Sequence, residues 1–163
     1  MNYVVNNRPL KAEFYNYLGD VYHSINEHEL SDENYEKSLA IIPENPIVLN
    51  NYSYYLSLRE INLDKAERFS KQCNDLQPNE ATYEDTYGWI LYKLERYSEA
   101  KEWLAKALVN SNSEVAEIVE HYADTLYKLG EKEEAIKYWQ KAILLGGNSP
   151  LLLKKAKQGL LYE

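Results

Sequence analysis

Cysteine is almost absent from this 163-residue chain: Cys73 stands alone, so neither an internal disulfide nor a cysteine metal cluster can form. Its expected role is that of a small core side chain. Only 6 glycines and 5 prolines interrupt the sequence, which excludes collagen-like and low-complexity classes and leaves long stretches free to be helical. An excess of cationic residues is missing too. With 18 Lys plus Arg against 26 Asp plus Glu, the formal charge is −8 and the pI near 5.0. That balance argues against a nucleic-acid binder, which needs a clustered cationic surface, and makes any charged partner more fittingly basic. No apolar run approaches the roughly 20 residues of a membrane helix, so membrane insertion is not expected. Met1 to Leu10 has neither a basic n-region nor an apolar h-region, so no signal peptide is read there. A cytoplasmic location is the default expectation, and an extracytoplasmic one would require a leader removed from a longer parent. Phenylalanine is scarce, at 2, whereas tyrosine, an apolar ring with a polar tip, numbers 16.

The dominant positive signal is an internal period. Leu91 to Leu108 aligns with Leu126 to Ile143 at an offset of 35, with 8 of 18 positions identical. Gly19, Ser53, Gly88 and Ala123 form one series of small residues spaced 34, 35 and 35 apart; Ser31, Ala66, Ala100 and Ala135 form a second, spaced 35, 34 and 35. Within a period two amphipathic stripes follow one another: Tyr87, Leu91 and Leu94, then Ala100, Leu104, Ala107 and Leu108. Glu95 to Tyr97 leaves room only for a tight helix hairpin, with the small residues where the two backbones cross. Asn45-Pro46 and Ser149-Pro150 each read as an N-cap followed by proline at N1, and Gly146 suits a left-handed C-cap.

A 34-residue period of paired helices carrying these residues resembles the tetratricopeptide repeat family. Ala12 to Asn45 supplies that family's bulky, Leu-Gly, Tyr, small, aromatic, small and Pro positions as Tyr15, Leu18, Gly19, Tyr22, Ser31, Tyr35, Ser38 and Pro43. Three further repeats follow at 46–80, 81–114 and 116–149, the second with one residue inserted near Ile61 to Leu63 and the third departing from the pattern at Glu84 and Asn112. Residues 1–11 form a lead, and 12–163 a single repeat domain. The resemblance implies an all-α, right-handed α-solenoid of four helix pairs. Pro150 to Glu163 reads as a capping helix, with Leu152, Leu153, Ala156 and Leu160 on one side and Lys154, Lys155 and Lys157 turned to water. No cap precedes Ala12.

Catalytic signatures are missing. Asp20 and His23 have a metal-ligating spacing, but a di-iron site needs two such pairs and further carboxylates. His23 and His28 are five apart, unlike a zinc-binding i, i+4 pair, and no phosphate cradle or nucleophile elbow occurs. The expectation is therefore a non-enzyme with no cofactor and no metal.

Surface recognition remains. In the family resembled, the first helix of each pair lines a concave groove. That places Asn16, Asp20, Asn50, Tyr54, Asp85, Trp89, Tyr92, Glu120, Asp124 and Tyr127 on the groove of this chain. Asn51 matches one residue of the clamp by which chaperone-binding relatives hold a peptide carboxylate. The rest of that clamp is not matched: Asn16, Asp20, Thr82 and Thr86 stand at the other positions, and Asp20 would repel a carboxylate. Aromatic anchors flanked by Glu13, Asp20, Asp85, Glu117, Glu120 and Asp124, against Lys93 and Lys128, imply a protein or peptide partner with apolar and basic residues. The alternative is self-association, or assembly within a larger repeat protein, through the uncapped N-terminal face.

Overall fold

Nine α-helices and no strand occur among the described residues, 7–113 and 115–162 of a computed structural model. The helices are Arg8–Ser24 (α1), His28–Ile41 (α2), Pro46–Leu58 (α3), Leu63–Leu76 (α4), Ala81–Lys93 (α5), Tyr97–Asn110 (α6), Ala116–Lys128 (α7), Lys132–Leu144 (α8) and Pro150–Gln158 (α9). Most of the expected lead, residues 1–6, lies outside the described residues, as do the repeat end Glu114 and the chain end Glu163.

Local chemistry fixes where these helices start and stop. Asn45 Oδ1 accepts the backbone N–H groups of Ile47 and Val48 and Ser149 Oγ that of Leu152, each beside a proline in the first turn. The same device operates earlier than the sequence reading placed it. Asn7 Oδ1 accepts from Leu10 N–H, with Pro9 in the first turn, so α1 begins at Arg8 and Arg8 to Lys11 are helical. All four hairpins turn alike. Asn26, Glu60, Glu95 and Gly130 take positive φ, and the next N–H reaches back five residues: Glu27 to Tyr22, Ile61 to Leu56, Arg96 to Leu91 and Glu131 to Leu126. Gly146, at φ 96°, ends α8 in the same way, its successor Gly147 bonding to Ala142. The residue inserted in the second repeat appears as an extra left-handed position, Asn62, directly before α4.

The helices group into two compact units, α1–α4 ending at Gln77 and α5–α9 starting at Pro78. In the first, α1 crosses α2 at Gly19, where a Cβ would stand 2.7 Å from the Tyr35 ring. The small residues do more than make room: Ser31 Oγ donates to the Gly19 carbonyl and Ser38 Oγ to that of Ala12, both at 2.8 Å. Cys73 is buried on α4. In the second unit, a Cβ on Gly88 would meet Leu104 Cγ at 2.7 Å where α5 crosses α6. Val119, Ala123 and Leu126 of α7, Ala135, Trp139 and Ala142 of α8 and Leu152 of α9 make one core. Leu152 is therefore the fully buried apolar residue that α9 adds to this core. Burying such a side chain stabilises by about 1.5–3 kcal/mol.

Candidate functional site

The first unit gathers three of the candidate residues around one cleft. Asp20 lies one helical turn beyond Asn16 on α1, and Asn51 is on α3. With Glu13, Tyr17 and Ile47 they line a cleft of about 430 Å³. Asp20 Oδ1 is already occupied, accepting from Tyr35 Oη at 2.5 Å and Asn51 Nδ2 at 3.3 Å. Burial, followed by this hydrogen bond to Asp20, pushes the Tyr35 phenol far above its ordinary value, so it remains a donor at any working pH. Asn16 Oδ1 differs: it is buried and has no hydrogen-bond donor. Asn50 Oδ1 on α3 is likewise buried without one, and Tyr54 packs its ring 6.0 Å from that of Tyr55. Near the far end of α1, His23 stacks on Tyr55 at 3.5 Å, with its imidazole held below the ordinary value by burial and then by His28.

The second unit holds the rest, in two linked groups. Trp89 and Tyr92, one turn apart on α5, stack at 4.7 Å, and the ring of His121 of α7 also stacks on Trp89, at 4.1 Å. Lys93 sits over the Trp89 ring and Lys128 over Tyr92. His121 Nδ1 is 3.0 Å from Asp85 Oδ1. Burial opposes charge on this imidazole, but the attraction and hydrogen bond of Asp85 outweigh it and hold His121 above its ordinary value. The second group centres on Asp124, whose Oδ1 accepts from Trp139 Nε1 at 2.7 Å and Oδ2 from Lys155 Nζ at 2.6 Å. Lys155 also binds Glu120 at 3.0 Å. Tyr127 packs 5.5 Å from Trp139, with Lys132 over its ring.

Lys155 corrects the sequence reading. Expected to face water, it is only 4% exposed, because the turn before α9 aims it at two carboxylates of α7. The acids Asp85, Glu120 and Asp124 are thus matched within the unit by His121 and Lys155. The sequence reading turned Lys155 to water and gave His121 no role, although for Lys155 the period carries the signal. The acid, the ring donor 15 residues later and the side-chain donor 31 residues later recur as Asp20, Tyr35 and Asn51 in the first unit and as Asp124, Trp139 and Lys155 in the second. Glu84, a departure from the repeat pattern, is also held internally, by Asn110 Nδ2 at 2.8 and 2.9 Å. Among the described residues no group of three or more His, Cys, Asp or Glu could hold a metal ion, and no helix is long and apolar enough to cross a membrane.

Comparison with known proteins places the arrangement. Residues 52–154 match the sequence profile of the tetratricopeptide repeat, and residues 12–45 match a second profile of the same description. The type IV pilus assembly protein PilF of Pseudomonas aeruginosa is 28% identical over 157 residues, which are 95% of this chain and 62% of that protein. The chain thus spans less than two thirds of the length of this curated relative. The solved structure of Pseudomonas aeruginosa PilF superposes with a TM-score of 0.73 at 24% identity, covering 91% of this chain and 71% of the other. PilW, a widely conserved type IV pilus biogenesis factor, gives 0.81 at 19% identity, with 91% and 68% covered. MamA from AMB-1 gives 0.69 at 23% identity, with 83% and 79% covered. The three solved structures share the fold, and the profile matched over more than half of the chain shows the family: the chain belongs to the tetratricopeptide repeat proteins, which mediate protein–protein interaction and assembly.

Proposed function

We propose that this protein is a non-catalytic binding module that holds a partner segment bearing apolar and basic groups on the first-helix faces of its hairpins. The observation that carries the reading is Asn16 Oδ1, a buried acceptor without a donor, in a cleft it shares with Glu13 and Asp20. A buried acceptor costs free energy until a donor reaches it, and every group named here offers an oxygen to a backbone N–H or an ammonium. Exposed Tyr17 and Ile47 supply apolar area beside it. Asn51 serves an extended backbone, and Asn50 and Tyr54 continue the same helix face. In the second unit Asp85, Trp89, Tyr92, Glu120, Asp124 and Tyr127 form the corresponding wall. Its acids act chiefly through the rings and cations they hold in place, so selectivity for a basic segment rests on the first unit. The roles of PilF in type IV pilus assembly and of PilW in type IV pilus biogenesis support placing such binding in the assembly of a type IV pilus or a comparable machine.

The test is an NMR titration of the labelled chain with synthetic peptides alternating Leu and Lys, and with their Leu–Asp analogues. Side-chain amide signals of Asn16 and Asn51 move with the lysine peptide and stay fixed with the aspartate one; Asn16→Leu abolishes the response. Equal shifts with both peptides, or none with either, refute the reading.

A further inference from the structure

One face of α1, continued by its C-cap, is apolar and about half exposed. Phe14, Tyr17, Val21 and Ile25 fall at i, i+3, i+7 and i+11, a single stripe, and each is between 51% and 59% exposed. Counting from the first residue of each repeat, these are positions 3, 6, 10 and 14. The residues in the same register on the second hairpin of each unit are covered. On α3 and its C-cap they are Val48, fully buried, and Asn51, Tyr55 and Arg59, all at least partly covered; on α7 and its C-cap they are Ile118, His121 and Thr125, all buried, and Leu129, partly covered. In each case the covering elements are the hairpin before, α1–α2 or α5–α6. The α1 stripe is therefore a packing surface by register. Its composition is more apolar than its counterparts, which include Asn51, Arg59 and His121.

We propose that this stripe is the interface between two copies of the chain, paired antiparallel about a two-fold axis near Gly19 and Asp20. Symmetry fits the spacing. Phe14 and Ile25 lie 5 and 6 residues either side of that centre and Tyr17 and Val21 lie 2 and 2 either side of Gly19, so aromatic meets aliphatic along a seam of about 16 Å. Charge fits it as well. The first two turns of α1 carry Arg8 and Lys11, and the segment just beyond its other end carries Glu27 and Glu29. Antiparallel pairing brings the basic end of each copy to the acidic end of the other, twice per dimer; parallel pairing would set like charges together. A seam of one helix per partner is small, below the roughly 1,200 Å² of stable complexes, so the pairing is weak and depends on concentration. Phe14, Val21 and Ile25 lie outside the cleft, whereas Tyr17 belongs to both surfaces, so a partner seated in the cleft competes with the pairing at that residue.

Sedimentation velocity over a wide concentration range tests this directly. The wild-type chain shows a reversible monomer–dimer equilibrium, and Val21→Glu, at an exposed position that leaves helicity intact, weakens it by about tenfold or more. Replacing Arg8 and Lys11 by Glu weakens it also, as does replacing Glu27 and Glu29 by Lys; an equimolar mixture of the two variants dimerises again as a heterodimer, and so does one chain carrying both swaps. A chain that stays monomeric at the highest soluble concentration overturns the proposal. So does a dimer indifferent to Val21→Glu, or a double swap that does not recover. Asn16→Leu, which removes the cleft acceptor, leaves the equilibrium unchanged, so loss of cleft binding and loss of dimerisation are separately read.

Discussion

Lys155→Met tests the charge balance of the second unit most sharply. The methionine keeps most of the side-chain stem but removes the ammonium that lies 2.6 Å from Asp124 and 3.0 Å from Glu120. Glu120 retains some access to water, its side chain being 21% exposed, whereas that of Asp124 is 4% exposed and keeps only the Trp139 N–H as partner. Removing one member of a buried pair typically costs about 3–5 kcal/mol, most of it from the charge left behind. A loss near 3 kcal/mol is expected here, because Trp139 still donates. Adding Asp124→Asn should return at least half of the loss, since the pair then disappears together. The three tryptophans, Trp89, Trp103 and Trp139, all lie in the second unit, so urea unfolding followed by tryptophan fluorescence reports on that unit. Acidity gives an independent check. Burial already pushes the Asp124 carboxyl up against the opposing pull of Lys155. In the variant that opposition is gone, the native state binds more protons than the unfolded one, and stability falls as pH rises through the folded carboxyl value. The variant should therefore recover relative to wild type on acidification from neutral pH. A cost below about 1 kcal/mol, with no recovery in acid, would show that Lys155 is solvated and the reasoning wrong.

Gly88→Leu should destabilise the second unit by about 1–3 kcal/mol in the same assay, because Leu104 Cγ and its backbone nitrogen stand 2.7 and 3.2 Å from the new Cβ; stability equal to wild type would put the α5–α6 crossing elsewhere. Asn45→Ala removes the oxygen capping α3 and should cost about 1 kcal/mol, read by far-ultraviolet circular dichroism or by faster amide exchange at Ile47 and Val48. His121 is held above its ordinary value of 6.5, so its contribution is fully present below that unfolded value and is lost as pH rises through the folded one. Asp85→Asn should flatten this dependence in pH-resolved urea melts of the second unit, and an unchanged slope would assign it to another group.

Spacing made the hairpins legible. Gly19, Gly88 and the serine and alanine series mark the crossings because a close backbone approach admits few side chains, and that restriction survives any surface change. Caps were legible where a proline followed an Asn or Ser, at Asn45 and Ser149. The same signal is weaker at Asn7, where Arg8 separates the cap from Pro9, so the first turn of α1 reads from sequence as part of the lead. The candidate groove was legible only as a register. Position told which residues share the first-helix face, but the partners of their charges come from the next hairpin, about 31 to 36 residues on. A helical wheel counts Lys155 as solvent-facing because it weighs residue type within one helix. The two carboxylates that bury it belong to another.

The acid, ring donor and side-chain donor that recur at offsets of 15 and 31 residues carry a further meaning, for the order in which hairpins can be strung together. Asp20 meets a neutral amide in Asn51, while Asp124, with Glu120 beside it, meets the ammonium of Lys155. Exchanging α3 and α9 would set a neutral amide against two carboxylates at one place, leaving their charge unmatched, and spend the ammonium on the single carboxylate of Asp20 at the other. These repeats share a backbone but not a vocabulary of neighbours. Each first helix is addressed to the one before it, and a shuffled array of the same hairpins would misread the addresses.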